Sequence, residues 1–228
     1  MKNKLVLPDR LKEVASLIPQ CNVLADIGTD HAYIPIYTVL NGIAKTSIAA
    51  DVVDGPLKIA KENISTYMLS EKISVVKSDG LTNINNADLI VIAGMGGTLI
   101  ADILEADLQK AKSADSLILQ PMSCAFELRK RLHHFGFLIK KEVLVKDTGK
   151  IYTAMVVKKG KQQFENDIHY EIGKYLIDNK PPLFSDYINH KVSVYNKRIL
   201  NMENSKNIDV KAEIINLKST IEQLKGLI

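Results

Sequence analysis

The chain predicts a doubly wound, Rossmann-like α/β sheet followed by a helical tail, on three observations. Five apolar runs alternate with helical patterns, as a parallel sheet covered on both faces requires. The first three runs each lead to an acid: Asp26, Asp51 and Asp79. Beyond Gly160 the pattern turns helical, with apolar residues three and four apart.

Residues 8–18 carry Leu11, Val14, Ala15 and Ile18 at helical spacing, and Pro19 ends the helix. Strand 1 is predicted over 23–27, with a helix over 32–41 that tolerates Pro35 only in its first turn. Strand 2 covers 46–51, Pro56 opens a helix running to 69, and strand 3 covers 73–77. Strand 4 is 88–93, capped by a glycine turn at Gly94-Met95-Gly96-Gly97, with a helix over 98–106. Strand 5 is 116–120, stopped by Pro121, with a helix over 124–135. Two further strands, 137–145 and 151–158, are joined by Lys146-Asp147-Thr148-Gly149-Lys150, a hairpin signal. An antiparallel pair closing a parallel sheet suits the class I methyltransferase version of the fold better than the nicotinamide version.

The tail predicts a helix over 164–178, a break at Pro181-Pro182, and a helical hairpin. Its first seam is Phe184, Ile188, Val192, Tyr195, Ile199 and Met202; its second is Val210, Ile214, Leu217, Ile221, Leu224 and Ile228. The polar stretch Asn204-Ser205-Lys206-Asn207 separates them, and so short a link implies antiparallel neighbours. The chain therefore divides into a domain over 1–160 and a coiled-coil domain over 161–228.

Composition excludes several classes. At 228 residues, 46% hydrophobic and 25% charged, the chain suits a soluble globular protein. No apolar run approaches the ~20 residues of a membrane span, and the N-terminal apolar stretch is too short for a signal peptide. Cys21 and Cys124 form no Cys-x-x-Cys pattern and read as reduced thiols of a cytoplasmic protein. The five histidines show no ligand spacing, so no metal is expected. The net charge of +4 is uneven: residues 127–160 hold 9 Lys+Arg against 3 Asp+Glu. Arg129-Lys130-Arg131, Lys140-Lys141, Lys146, Lys150 and Lys158-Lys159 lie there. They read as a solvated surface or as a phosphate-facing patch.

The first turn, Gly28-Thr29-Asp30-His31-Ala32, lacks the Gly-x-Gly-x-x-Gly fingerprint. Asp30 stands where a pyrophosphate would sit and would repel it. A ligand with an ammonium and a ribose diol, such as S-adenosylmethionine, is favoured. Asp26 or Asp30 suits the amino group, and Arg10 or His31 the carboxylate; Asp30 also reads as a cap of the next helix. Asp51, 25 positions after Asp26 and followed by Val52, stands where a ribose is held. Asp79 with Gly80 suits an adenine amine. The Ala93–Gly97 turn ends strand 4 at the reaction edge, where glycines admit a substrate closely.

At these residues the chain resembles the bacterial tRNA adenine-22 N1-methyltransferases of Gram-positive lineages. The matching pieces are residues 24–35, Ala93-Gly94-Met95-Gly96-Gly97 and Leu119-Gln120-Pro121. The resemblance extends to size and organisation, and so spans essentially the whole chain. It implies S-adenosylmethionine as donor and N1 of an adenine in the tRNA D-arm as acceptor. The candidate catalytic positions are Asp30, Gly94 and Met95. The candidate cofactor positions are Arg10, Asp26, Gly28, His31, Asp51, Val52, Asp79, Gly80 and Gly94. Tyr33, Met95 and Phe126 are candidates to stack on the base, the basic segment and tail are expected to grip tRNA, and a monomer is expected. Two other readings are a non-catalytic tRNA-binding protein with a nucleotide pocket and a nicotinamide-dependent oxidoreductase.

Overall fold

The structure, a computed structural model, describes residues 5–204 and 210–228. Its order is α1 Asp9–Ser16, β1 Cys21–Ile27, α2 Tyr33–Leu40, β2 Ala44–Asp51, α3 Asp54–Thr66, β3 Ile73–Lys77, β4 Leu89–Gly96, α4 Gly97–Ala106, α5 Leu108–Ser113, β5 Ser116–Ser123, α6 Ala125–His134, β6 Phe137–Asp147 and β7 Lys150–Lys159. These strands form one seven-stranded sheet in the order β3-β2-β1-β4-β5-β7-β6. The β1–β2, β1–β4, β2–β3 and β4–β5 pairs are parallel, and β7 is antiparallel to both β5 and β6. This is a doubly wound, Rossmann-like sheet closed by an antiparallel pair.

Successive strand residues feed opposite faces, so continuous apolar runs build two cores. Leu117 and Leu119 enter one core while Ile118 enters the other; Ile90 and Ile92 oppose Leu89 and Val91 in the same way. Pro35 sits in the first turn of α2, where its missing N–H has no intrahelical partner to lose.

Three local expectations are corrected. The glycine segment does not cap β4, because β4 runs through Gly94 and Met95 to Gly96, and α4 starts at Gly97. Pro121 does not stop β5, which continues to Ser123. Both extensions share a cause: Met95 pairs with Pro121 between two register shifts, and a bulge relieves proline of its ladder bond. The hairpin loop is shorter than expected. Only Thr148 and Gly149 connect β6 to β7, with φ of 49° and 80°, the pattern of a type I′ turn. The short α5 was not expected at all.

A second compact unit covers Phe164–Ile228, the first being Met1–Gln163. It holds a π-helical turn at His169–Gly173, α7 Lys174–Asn179, α8 Phe184–Glu203 and α9 Lys211–Lys225. The helix expected over 164–178 is interrupted by Gly173 at φ 104°. Lys180 and Leu183, both at positive φ, bracket the proline break. Ile199, Leu217 and Ile221 form a buried cluster with Val192, Tyr195, Met202 and Ile214 packed against it. Phe184, Ile188 and Leu224 are buried outside that cluster, and Ile228 is exposed. Lys180 Nζ donates to the Leu227 carbonyl at 2.6 Å, so α9 runs back towards the start of α8. The expected polar connection falls largely on residues 205–209, outside the described residues.

Candidate active site

The parallel strands bring their carboxyl ends to one edge. Asp26, next to last in β1, lies beside Ala49 of β2 and Val91 of β4, and Asp51 ends β2 beside Lys77 of β3. Asp79 follows two residues after β3. The strand order therefore lines up Asp79, Asp51, Asp26 and Gly94 along a single rim.

Asp26 is buried, and Thr29 Oγ1 donates to its Oδ2 at 2.6 Å. Burial pushes the Asp26 carboxyl up to about 6; the Thr29 bond works against this and the Asp51 charge adds to it. The N–H groups of Gly28 and Thr29 both donate to the Ala50 carbonyl, at 2.8 and 3.0 Å, tying the first turn to β2. Gly28 has φ +77°, and a Cβ there would lie 1.9 Å from Met95 Cε. The Met95 thioether thus lies against the bare glycine.

Asp51 Oδ1 accepts from the Val53 N–H at 2.9 Å, and Val52 beside it is exposed. Asp79 is exposed. Next to it, Ser78 Oγ donates to the Gly80 carbonyl at 2.9 Å and accepts from the Asn83 N–H at 3.0 Å, bending the chain after β3. Thr29, Ser78 and Asn83 were not singled out in the sequence, where isolated small polar residues give no signal.

A cavity of about 270 Å³ opens at this edge. Arg10, Asp26, Gly28, Asp30, His31 and Gly94 line it with Thr29 and Tyr33. It therefore gathers six of the predicted positions, while Asp51, Val52, Asp79, Gly80 and Met95 lie outside its walls. Asp30 is exposed and does not cap α2, whose N-cap is Ala32 at φ 55° with no side-chain cap. Its carboxylate instead lies 3.2 Å from His31 Nε2. The His31 ring stacks on Tyr33 with centroids 5.1 Å apart, and Asn63 Nδ2 donates to the His31 carbonyl at 3.0 Å.

Gln120 ties Arg10 and β4 together at this edge. Its side chain is fully buried, and its Oε1 accepts from both the Gly94 N–H, at 3.1 Å, and Arg10 Nη1. Gln120 Nε2 donates to the Pro121 carbonyl at 3.0 Å. Arg10 Nε also faces Asp147 Oδ2 at 3.8 Å. In the sequence Gln120 stands only as an amide closing the apolar run Leu117-Ile118-Leu119 and as the middle of the Leu119-Gln120-Pro121 piece, with no role attached. Gly94 has φ +83°, where a side chain is strained whatever the space.

The basic segment is corrected. Arg129 is fully buried and ion-paired with Glu142, its Nε donating to Oε1 at 3.0 Å. Arg131 pairs with Asp102 and Glu105 on α4. Of this triplet Lys130 is exposed, with Nζ 5.9 Å from the Phe126 ring centroid. Arg129 and Arg131 therefore hold α6 to its neighbours rather than facing phosphate. No cluster suited to a metal ion occurs among the described residues.

A rim of carboxylates beside a cavity holding one arginine and one histidine can bind a ligand rich in hydroxyl and amine donors. The TrmK family, tRNA (adenine(22)-N(1))-methyltransferase, matches residues 24–226. The chain belongs to that family. The TrmK-family enzyme is 36% identical to the tRNA (adenine(22)-N(1))-methyltransferase of Bacillus subtilis, over 99% of this chain and 98% of that one. A Streptococcus agalactiae protein of the NADB-Rossmann superfamily superposes with a TM-score of 0.90 at 33% identity, covering 99% of this chain and 98% of its own. A Streptococcus pneumoniae relative solved in complex with S-adenosyl-L-methionine gives 0.87 at 33% identity, covering 97% and 99%. The TrmK-family enzyme is a tRNA methyltransferase acting at N1 of adenine 22. The non-catalytic and nicotinamide readings find no support in these likenesses. No helix among the described residues is long and apolar enough to cross a membrane.

Proposed function

We propose that the strand-end acids hold S-adenosylmethionine, the methyl donor, and that the Ala93–Gly97 segment receives adenine 22 of tRNA beside it. The observation that carries this reading is the alignment of Asp79, Asp51, Asp26 and Gly94 on one rim. Asp26 fits such a donor on a second ground. It is a buried acid bonded to the Thr29 hydroxyl, with no cationic partner among the described residues, and an ammonium would supply one. The cavity of Arg10, Gly28 and His31 takes the methionine end. Asp51, with Val52 against the sugar, takes the ribose hydroxyls. Asp79 and Gly80 take the adenine amine.

N1 of adenine already carries an in-plane lone pair, so the enzyme needs to position rather than activate it. Gly94 admits the base closely, Met95 fixes the depth of the site over Gly28, and Asp30 flanks the reacting edge. Tyr33 or Phe126 stacks on a base drawn out of the tRNA fold. Residues 1–160 form the catalytic domain. Residues 161–228 form a coiled-coil, tRNA-binding domain, which the α8–α9 cluster supports. The enzyme works in the cytoplasm as a monomer.

Calorimetry with S-adenosylmethionine tests the donor site. Asp51→Ala and Asp26→Ala each weaken binding, since hydrogen bonds to a charged group contribute about 1.5–3 kcal/mol. Unchanged affinity with an intact fold would remove the assignment. Mapping of methylated nucleosides in tRNA from cells with and without the protein tests the acceptor.

A further inference from the structure

The lysines of the basic segment divide into two groups that the sheet holds at opposite edges. β7 runs antiparallel to β5, with Leu119 opposite Met155 and Leu117 opposite Val157. Lys150, at the start of β7, therefore lies on the edge where β5 ends, the edge of Gln120 and Gly94. Lys146 is one ladder step away, opposite Ile151. Lys158 and Lys159 close β7 at the other edge, opposite Leu138 and Phe137, with Lys140 and Lys141 towards the same end of β6. At ~3.3 Å per residue, Lys150 and Lys158 stand about 26 Å apart.

The hairpin tip is tied to the site. Asp147 pairs with Lys150 across the ladder, and its carboxylate faces Arg10, which lines the cavity. The two-residue turn at Thr148-Gly149 fixes the spacing of the strands that carry Lys146 and Lys150. Both lysines are exposed, and neither has an ion pair among the described residues. Arg10 already answers the charge of Asp147; Lys150 shares the face of Asp147 and Lys146 lies on the opposite face, so the tip presents one cation on each face of the hairpin at the edge where the cavity opens. The row of Asp26, Asp30, Asp51 and Asp79 that suits the methyl donor repels a phosphodiester chain, and cations at the rim offset that field. The distant lysines have another use. β6 is an edge strand, and Lys140 and Lys141 beside its bulge discourage pairing with another chain.

We propose that Lys146 and Lys150, at the tip of the β6–β7 hairpin, bind the RNA phosphates flanking the methylated adenine, and that the lysines at the opposite sheet edge take no part. The proposal rests on the tRNA methyltransferase reading. Lysine binds phosphate as a point charge, so the contact contributes affinity and position rather than sequence choice.

The test is tRNA binding by the full chain across a salt series. Lys146→Ala with Lys150→Ala lowers the slope of log affinity against log salt by about 1.4–1.8, at ~0.7–0.9 per lost contact. It raises KM for tRNA and leaves S-adenosylmethionine affinity and the melting temperature unchanged. Lys146→Arg with Lys150→Arg restores the slope. Lys158→Ala with Lys159→Ala keeps the wild-type slope and KM. A full slope in the tip variant, or an equal loss in the far-edge pair, overturns the proposal. Wild-type methylation is measured alongside. If it is present while the tip variant keeps the full slope, the lysine contact is wrong and the activity stands; if it is absent, both fall.

Discussion

Asp26 combines burial with the place on the rim proposed to hold the donor's ammonium. Its carboxyl keeps its proton to about pH 6 in the folded chain, against 3.8 for a free side chain. The folded state therefore binds the extra proton between those values, and stability from this group is greatest below about pH 4 and lost as pH rises to about 6. The difference is on the order of 3 kcal/mol. Urea unfolding across that window should show the decline, and Asp26→Asn should remove it. Donor binding should follow the opposite course, because the ammonium needs the ionised form. In a His31→Gln background, S-adenosylmethionine affinity should rise about tenfold per pH unit up to about 6 and then level off, since below that value the ionised fraction of Asp26 rises tenfold per unit. A pH-independent affinity would mean that Asp26 does not face the ammonium. The strand-end acids were legible in the sequence because a strand closing on an acid is a local pattern. Gln120 was not, because its role depends on Arg10 arriving from 110 positions away.

At the scale of elements, α6 is held to β6 by a buried ion pair, Arg129 with Glu142. Burial pushes the Glu142 carboxyl up, while the Arg129 charge and hydrogen bond pull it down. Removing Glu142 takes the paired carboxylate away from a fully buried guanidinium, so Glu142→Leu should cost about 3–5 kcal/mol in urea unfolding, and adding Arg129→Met should recover most of it. A Glu142→Leu protein of wild-type stability would show that the guanidinium finds other partners. This pair explains where charge counting misled. The sequence shows nine cations in the segment, but not that Glu142, Asp102 and Glu105 reach Arg129 and Arg131 from other elements. The β4–α4 junction is equally unreadable from its glycines alone. A Cβ on Gly97 would meet the Cys124 carbonyl oxygen at 2.4 Å and that of Ser123 at 2.9 Å, so the backbone itself must move. Gly97→Ala should cost about 1–3 kcal/mol, the range for overpacked sites, and lower Tm by several degrees.

At the scale of the whole molecule, the hydrophobic clusters on the two faces of the sheet draw only on residues before 158. A chain cut after Gln163 keeps them, and keeps the bond from the Ile139 N–H to Gln162 Oε1. It should unfold cooperatively and bind S-adenosylmethionine with wild-type affinity, yet fail to methylate whole tRNA. Methylation at the wild-type rate by that fragment would give the tail some other purpose. The alternation of strands and helices was legible across the sheet-bearing unit, α5 excepted, because both periodicities are local. In the tail the spacing found α8 and α9, but it also assigned Phe184, Ile188 and Ile228 to a seam that excludes them. A repeat of three and four says which residues share a stripe, not where the partner helix ends.

The shared acceptor on Gln120 has a thermodynamic consequence. One oxygen takes hydrogen bonds from Arg10, proposed to meet the methyl donor, and from the Gly94 N–H, proposed to meet the base. Two lone pairs are thereby committed, and a ligand that draws on either neighbour alters the bond left for the other. On the proposed assignment of the two sites, methyl donor and RNA are linked ligands, each changing the other's affinity by the same factor. Donor dissociation constants measured with and without bound tRNA should differ in the wild-type enzyme and converge in Gln120→Leu. The buried amide would thus act as the molecule's means of sensing that both substrates have arrived.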